Sequence, residues 1–199
     1  MPSGAKEPAQ LLLRRGRNVL LRPPATSDQR AFLDSVRRSR RLHAQWVQPP
    51  GDAAEFRVYV KRFAQEAMRE LAHARRVGFV VCERDSQALA GVLNFSEIIR
   101  GALQSAFLGY YAFHGMNGRG YMREGLALAL DHAFRTLQLH RVEVNVQPGN
   151  ERSIALVEAA GFTREGFSRR YVKVAGRWRD HVRYAMLSED WPRIRRSRG

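Results

Sequence analysis

The sequence predicts an α+β fold, on three observations: two amphipathic helices follow the first strand, three strand-like segments then run in succession, and a helix, strand, helix and hairpin close the chain. Its 199 residues, 44% of them hydrophobic, suit one domain with a proper core and leave little room for a second. RNVLLRPPA reads as an edge strand running into a turn, because apolar residues alternate before two prolines end the ladder. Thr26, Ser27 and Asp28 are N-cap residues ahead of RAFLDSVRRSRRL. From about Ala53 to Arg75 a longer stretch puts Phe56, Val60, Phe63 and Ala67 on one face. GFVVCER, LAGVLNFSEII and QSAFLGYYAF follow, separated by turns at Asp85–Gln87 and Arg100–Leu103, and form an antiparallel meander. After the glycine-punctuated HGMNGRG, the residues Met122, Leu126, Leu130, Phe134 and Leu137 recur at helical spacing. RVEVNV is then a buried strand. Asn150 caps the short helix ERSIALVEAA, Gly161 ends it, and FTREGFSRRYVKV pairs with WRDHVRYAML across AGR. Residues 11–191 therefore read as one domain, with 1–10 and 192–199 as flexible termini.

The formal net charge is +15, and only Lys6, Lys61 and Lys173 are lysines, so arginine supplies nearly all of the positive field. Such a field favours anionic partners: nucleic acid, a ribosome, an acidic segment or a phosphorylated cofactor. Arg37, Arg38, Arg40 and Arg41 form one cluster and Arg193, Arg195, Arg196 and Arg198 another, each readable as a binding patch or as a solvated surface. No apolar run reaches the length of a membrane span, and MPSGAKEPAQ lacks the apolar core of a signal peptide, which points to a cytoplasmic location. The single cysteine, Cys82 in GFVVC, reads as a small buried hydrophobe rather than a nucleophile. No spacing of ligands suggests a metal.

Two segments carry chemistry. Glycines 115, 118 and 120 let the backbone approach an anion just where a helix begins, so that N–H groups and the helix dipole form a pyrophosphate cradle to which Arg119 or Arg123 adds charge. An ordinary tight turn reads the same way. Asn150-Glu151-Arg152-Ser153 follows a buried strand and opens a helix, either as a simple cap or as part of a site.

The order of elements and these two motifs together resemble the GNAT superfamily. Its Gln/Arg-x-x-Gly-x-Gly/Ala motif matches Asn117-Gly118-Arg119-Gly120-Tyr121-Met122, with Asn117 in place of Gln or Arg and Met122 in place of a small residue. GVLNFSEIIRG, LGYYA, NGRGYM, LHRVEVNV, NERS, GFTREG and GRWRDHV extend the resemblance, over about Leu11 to Trp191, to the ribosomal-protein alanine N-acetyltransferases within that superfamily.

The resemblance implies a mixed central sheet, flanked by helices and splayed between the fourth and fifth strands. Acetyl-CoA would lie there as co-substrate, its pantetheine running beside Tyr111, Ala112 and Phe113 like an extra strand. It also implies a pyrophosphate over residues 117–122, Asn150 on the pantetheine arm, and an amide near Ala112 for the thioester oxygen. Many members place a tyrosine seven residues after that asparagine. Val157 stands there, and Ser153 inherits the role of acid toward the CoA thiolate. Direct attack by a neutral amine needs no acyl-enzyme. An N-terminal amine, with a pKa near 8, needs only a modest base. Candidates are Glu97, Asp180, His181 and Glu143, each carboxylate equally readable as a salt-bridge partner. Trp46 and Gln48-Pro49-Pro50-Gly51, with Tyr171 and Trp178, would shape the acceptor site or simply pack. The acceptor implied is the N-terminal alanine of a ribosomal protein, with ribosomal RNA contact through the basic surface. The same charge argues against polyamines. Two alternatives stay open: a small-amine acetyltransferase, and a catalytically weak, basic, ribosome- or RNA-associated protein that retains the fold.

Overall fold

A computed structural model describes residues 13–65 and 73–196. Among them eight strands form a single sheet in the order β1-β2-β3-β4-β5-β6-β8-β7. The strands are β1 (Arg14–Arg15), β2 (Val19–Arg22), β3 (Val77–Glu83), β4 (Leu89–Ile99), β5 (Ser105–Ala112), β6 (Arg141–Val146), β7 (Thr163–Val174) and β8 (Arg177–Leu187). The helices are α1 (Gln29–Arg38), α2 (Arg40–His43), α3 (Ala53–Val60), α4 (Tyr121–Arg135), α5 (Glu151–Ala159) and α6 (Trp191–Arg196). All neighbouring strands pair antiparallel except β5 and β6, which are parallel. The α+β reading and the mixed sheet therefore hold. The two-residue β1 shifts the count, so that the fourth and fifth strands of the sequence reading are β5 and β6.

Strand alternation gives the sheet two buried faces. Leu20, Val80, Cys82, Val92 and Phe113 pack with Phe32 of α1 and Phe56 of α3 on one side. Leu21, Phe79, Val81 and Leu93 pack with Leu126 and Leu130 of α4 on the other. Burial pushes the Cys82 thiol up to about 11, as befits an inert core thiol. Helix α4 lies so close to β3 and β4 that a Cβ on Gly125 would stand 3.2 Å from Val81 and 3.3 Å from Leu93. Replacing Gly125 with leucine should overpack this contact at a cost of about 1–3 kcal/mol, lowering the melting temperature by several degrees in calorimetry.

The sequence reading departs from the structure at three places. Helix α3 gives way to a π-helical turn over Lys61–Gln65, and Ala67 lies outside the described residues. Asp28 does not cap α1; it pairs with Arg22 at 2.6 Å and accepts the Ala25 N–H, anchoring the turn after β2 instead. Residues 192–196, read as part of a tail, continue a helix that starts at Trp191, α6, and the Trp191 side chain is 3% exposed in the core beside Phe134. Residues 1–12 and 197–199, with the side chains of Arg193, Arg195 and Arg196, lie outside the description.

Candidate active site

The sheet opens at one place. Strands β5 and β6 pair only at Ser105↔Arg141, Ala106↔Val142 and Phe107↔Glu143, after which β6 continues along β8 and β5 along β4. Phe113 donates its N–H to Ala90 O, so the alternation of antiparallel pairing turns the N–H and C=O of Leu108, Tyr110 and Ala112 away from β4 and toward the opening. Two cavities occupy it. A cleft of about 810 Å³ runs from Ala112 along the loop before α4 to the start of α5, and a smaller one of about 100 Å³ lies between Leu108–Tyr110 and Val144–Val146. Tyr110, Trp46, Val47 and Asn150 wall both cavities.

Two helix N-termini face the cleft. Gly118 and Gly120 have φ of 81° and 78°, a left-handed conformation that costs glycine little and that turns the loop into α4. Arg123 stands on the wall beside this loop. At α5, Asn150 Oδ1 accepts the Ser153 N–H at 3.3 Å. The Ser153 hydroxyl is 2.7 Å from the Tyr110 hydroxyl, which also donates to the Ser153 carbonyl at 3.2 Å. Burial holds the Tyr110 phenol up at about 12, so it keeps its proton at neutral pH.

Most cofactor candidates converge here. Tyr111, Ala112, Asn117, Gly118, Gly120 and Tyr121 line the cleft, as do Met122, Asn150 and Ser153. Phe113 does not: it is 1% exposed in the core, edge-on to Phe32. Arg119 is exposed and off the wall. Of the catalytic candidates only Ser153 reaches the cleft. Glu97 sits near the far end of β4, bound to Arg76 at 2.9 Å. Asp180 is exposed and accepts the Arg170 backbone N–H at 2.7 Å. Glu143 pairs with Arg141 at 2.9 Å. His181 does line the smaller cavity. Trp46 walls both spaces, whereas Trp178 is 60% exposed and belongs to neither.

Several wall residues escaped the sequence reading, among them Tyr110 and His43. Tyr110 was legible in principle, since in LGYYA only one of two adjacent tyrosines can face the same side as Leu108. His43 had no signal: it comes from α2, where Nε2–H donates to Ala112 O at 2.8 Å and burial lowers its pKa.

The acetyltransferase (GNAT) domain model matches residues 18–163, nearly three quarters of the chain. The chain belongs to the GNAT acetyltransferase family. This acetyltransferase is 33% identical over 176 residues to the probable N-acetyltransferase YjcK of Bacillus subtilis, covering 88% of this chain and 97% of that protein. Against the [ribosomal protein uS5]-alanine N-acetyltransferase of Escherichia coli it is 37% identical over 113 residues, 57% of this chain and 58% of that enzyme. Among solved structures, RimJ of Mycobacterium smegmatis in complex with CoA-disulfide superposes with a TM-score of 0.78 at 30% identity, over 87% of this chain and 84% of that one. The ribosomal-protein-S5-alanine acetyltransferase of Vibrio fischeri superposes at 0.77 and 26%, over 90% and 98%. Among the described residues of the acetyltransferase, no helix is long and apolar enough to cross a membrane.

Proposed function

We propose that residues 11–191 form a cytoplasmic acetyltransferase domain that uses acetyl-CoA to acetylate a protein N-terminus, with the N-terminal alanine of a ribosomal protein as acceptor. The observation that carries the reading is the pair of cavities meeting at Tyr110 and Asn150: one space is long and bordered by helix N-termini, the other is small. The first suits a phosphorylated, amide-bearing arm. The second, about 100 Å³ and walled by Trp46, Val47 and Leu108, suits a small first residue such as alanine. The solved RimJ complex with CoA-disulfide and the alanine specificity named for two relatives support both assignments.

Acetyl-CoA supplies an activated acetyl thioester. The chain's own groups would do the rest: the α4 N-terminus and Arg123 would hold the pyrophosphate, the turned-out backbone of β5 would pair with the pantetheine amides, and Ala112 N–H would donate to the developing oxyanion. The Ser153 hydroxyl, held by Tyr110, hands a proton to the departing sulfur. Val157 is fully buried in the core and carries no hydroxyl, so the donor proposed here is Ser153 of α5, three residues beyond Asn150, with Tyr110 of β5 beside it. The exposed Arg37, Arg38, Arg40 and Arg41 of α1 and α2 would draw the enzyme to ribosomal RNA.

The test is acetyl-CoA consumption against alanine-, serine- and methionine-starting peptides and small amines, with mass spectrometry locating the acetyl group. Acetylation at the α-amine of the alanine peptide, in preference to methionine, is expected. Modification of small amines alone would establish the alternative acceptor class, and salt-sensitive ribosome binding without any transfer would establish the binding role.

A further inference from the structure

We infer that His181 is the group that takes the proton from the attacking amine. The inference rests on the acetyl-transfer reading and supplies the base that reading lacks. His181 lies on β8, 4% exposed, and lines the smaller cavity together with Tyr110 and Asn150. Its Nδ1 is 3.0 Å from Arg179 O. A carbonyl only accepts, so Nδ1 carries the hydrogen and Nε2 keeps a lone pair. The tautomer is thus fixed in the form a base requires.

Position separates the competitors, since His43 and Glu151 border only the larger cleft. No aspartate or glutamate borders this cavity, and its other ionisable group, Tyr110, cannot accept a proton. Asp180 and His181 are neighbours in a strand and point to opposite faces of the sheet. The groups near His181 set its charge state together. Burial lowers its pKa, while the Arg179 carbonyl and the negative charge of Asp180 act the other way. From β7, Ser168 is its register partner and the Tyr171 ring lies 6.2 Å away. Asn145 and Gln147 at the β6 end and Trp46 bring no charge, and strand alternation places Arg179 and Arg183 on the same face of β8 as His181. The imidazole therefore rests neutral at physiological pH, ready to accept.

The step balances simply. The neutral amine attacks the thioester carbon, the new C–N bond makes the nitrogen strongly acidic, and Nε2 takes its proton. As the C–S bond breaks, sulfur receives a proton from Ser153, and solvent exchange through the open cleft restores both side chains. Net, one proton leaves nitrogen and one arrives at sulfur.

The experiment compares wild type, His181→Gln and His181→Ala between pH 5 and 9, using whichever amine the wild type acetylates, with acetyl-CoA affinity read separately by calorimetry. For His181→Gln, kcat at pH 7 should fall about 10²–10⁴-fold, acetyl-CoA affinity should hold within about twofold, and the acid limb of kcat should disappear. Added imidazole should restore part of the turnover of His181→Ala, which a packing role could not explain. A glutamine variant within about threefold of wild type with its acid limb intact overturns the assignment. Failure of the acetyl-transfer reading itself would appear in the wild type, as binding of acetyl-CoA with no amine of any class acetylated, and would take the base with it.

Discussion

Replacing Ser153 with alanine is expected to lower kcat by about 10²–10³-fold, the usual loss on removing one positioned donor to developing charge, while acetyl-CoA affinity changes little. The reason lies in how α5 begins. Its cap uses the Ser153 backbone N–H, which donates to Asn150 Oδ1, and not the hydroxyl, so the variant keeps the helix and loses only the group beside Tyr110. Tyr110→Phe tests the same unit from the other strand. If the phenol acts by holding the serine hydroxyl, its removal should cost about tenfold in wild type and almost nothing once Ser153 is already alanine, a coupling that a double-mutant cycle reads directly. Steady-state kcat and calorimetric acetyl-CoA affinity on the four proteins decide it. Independent, additive losses would show that Tyr110 acts separately from Ser153.

The second large effect concerns stability. His132 of α4 is fully buried against Phe79, both ring nitrogens lack a hydrogen-bond partner among the described residues, and burial, helped by the charge of Arg14, lowers its pKa to about 3. In the unfolded chain the same imidazole titrates near 6.5. Between those values the unfolded state holds a proton that the folded state refuses, so stability is full above about pH 6.5 and drains away as pH falls toward 3. Each unit of that interval removes about 1.4 kcal/mol, a serious loss for a domain stable by about 5–15 kcal/mol. Urea unfolding at pH 7.5 and pH 5 should therefore show wild type losing about 2 kcal/mol more than His132→Leu does. An equal pH slope in both proteins would place the acid sensitivity elsewhere. The leucine variant should also be no less stable at pH 7.5, since two unsatisfied polar atoms leave the core.

What the sequence revealed, and what it hid, divides along a physical line. The meander strand Leu89–Ile99, the strand Arg141–Val146 and the Asn150 cap were readable because each depends on local periodicity or on a side chain bonding its own backbone a few residues on. Most of the cleft wall followed, since its loop and both helix starts are local features as well. Encounters between distant segments left no such trace. His43 meets Ala112 across 69 positions and Tyr110 meets Ser153 across 43, and neither spacing is written in any motif. The carboxylates misled for the complementary reason. Glu97 has a base's chemistry, but Arg76 claims it from 21 residues away. The last helix was missed because its arginines look like a tail, while Trp191 and Ile194 tie it to the core.

The three-residue ladder between β5 and β6 has a consequence for the protein when it is empty. A sheet normally has two edges, but this one has four, because the parting strands expose a further pair of unpaired backbone rows in the middle of the molecule. Edges of that kind invite any extended chain to complete them. Natural sheets guard their outer margins with charge, and β7 does so with Arg164, Arg169, Arg170 and Lys173. The inner rows carry no such guard, for a charge there would obstruct the cleft. Their protection falls to the co-substrate itself, which would act as the missing strand and make the loaded enzyme the less aggregation-prone form.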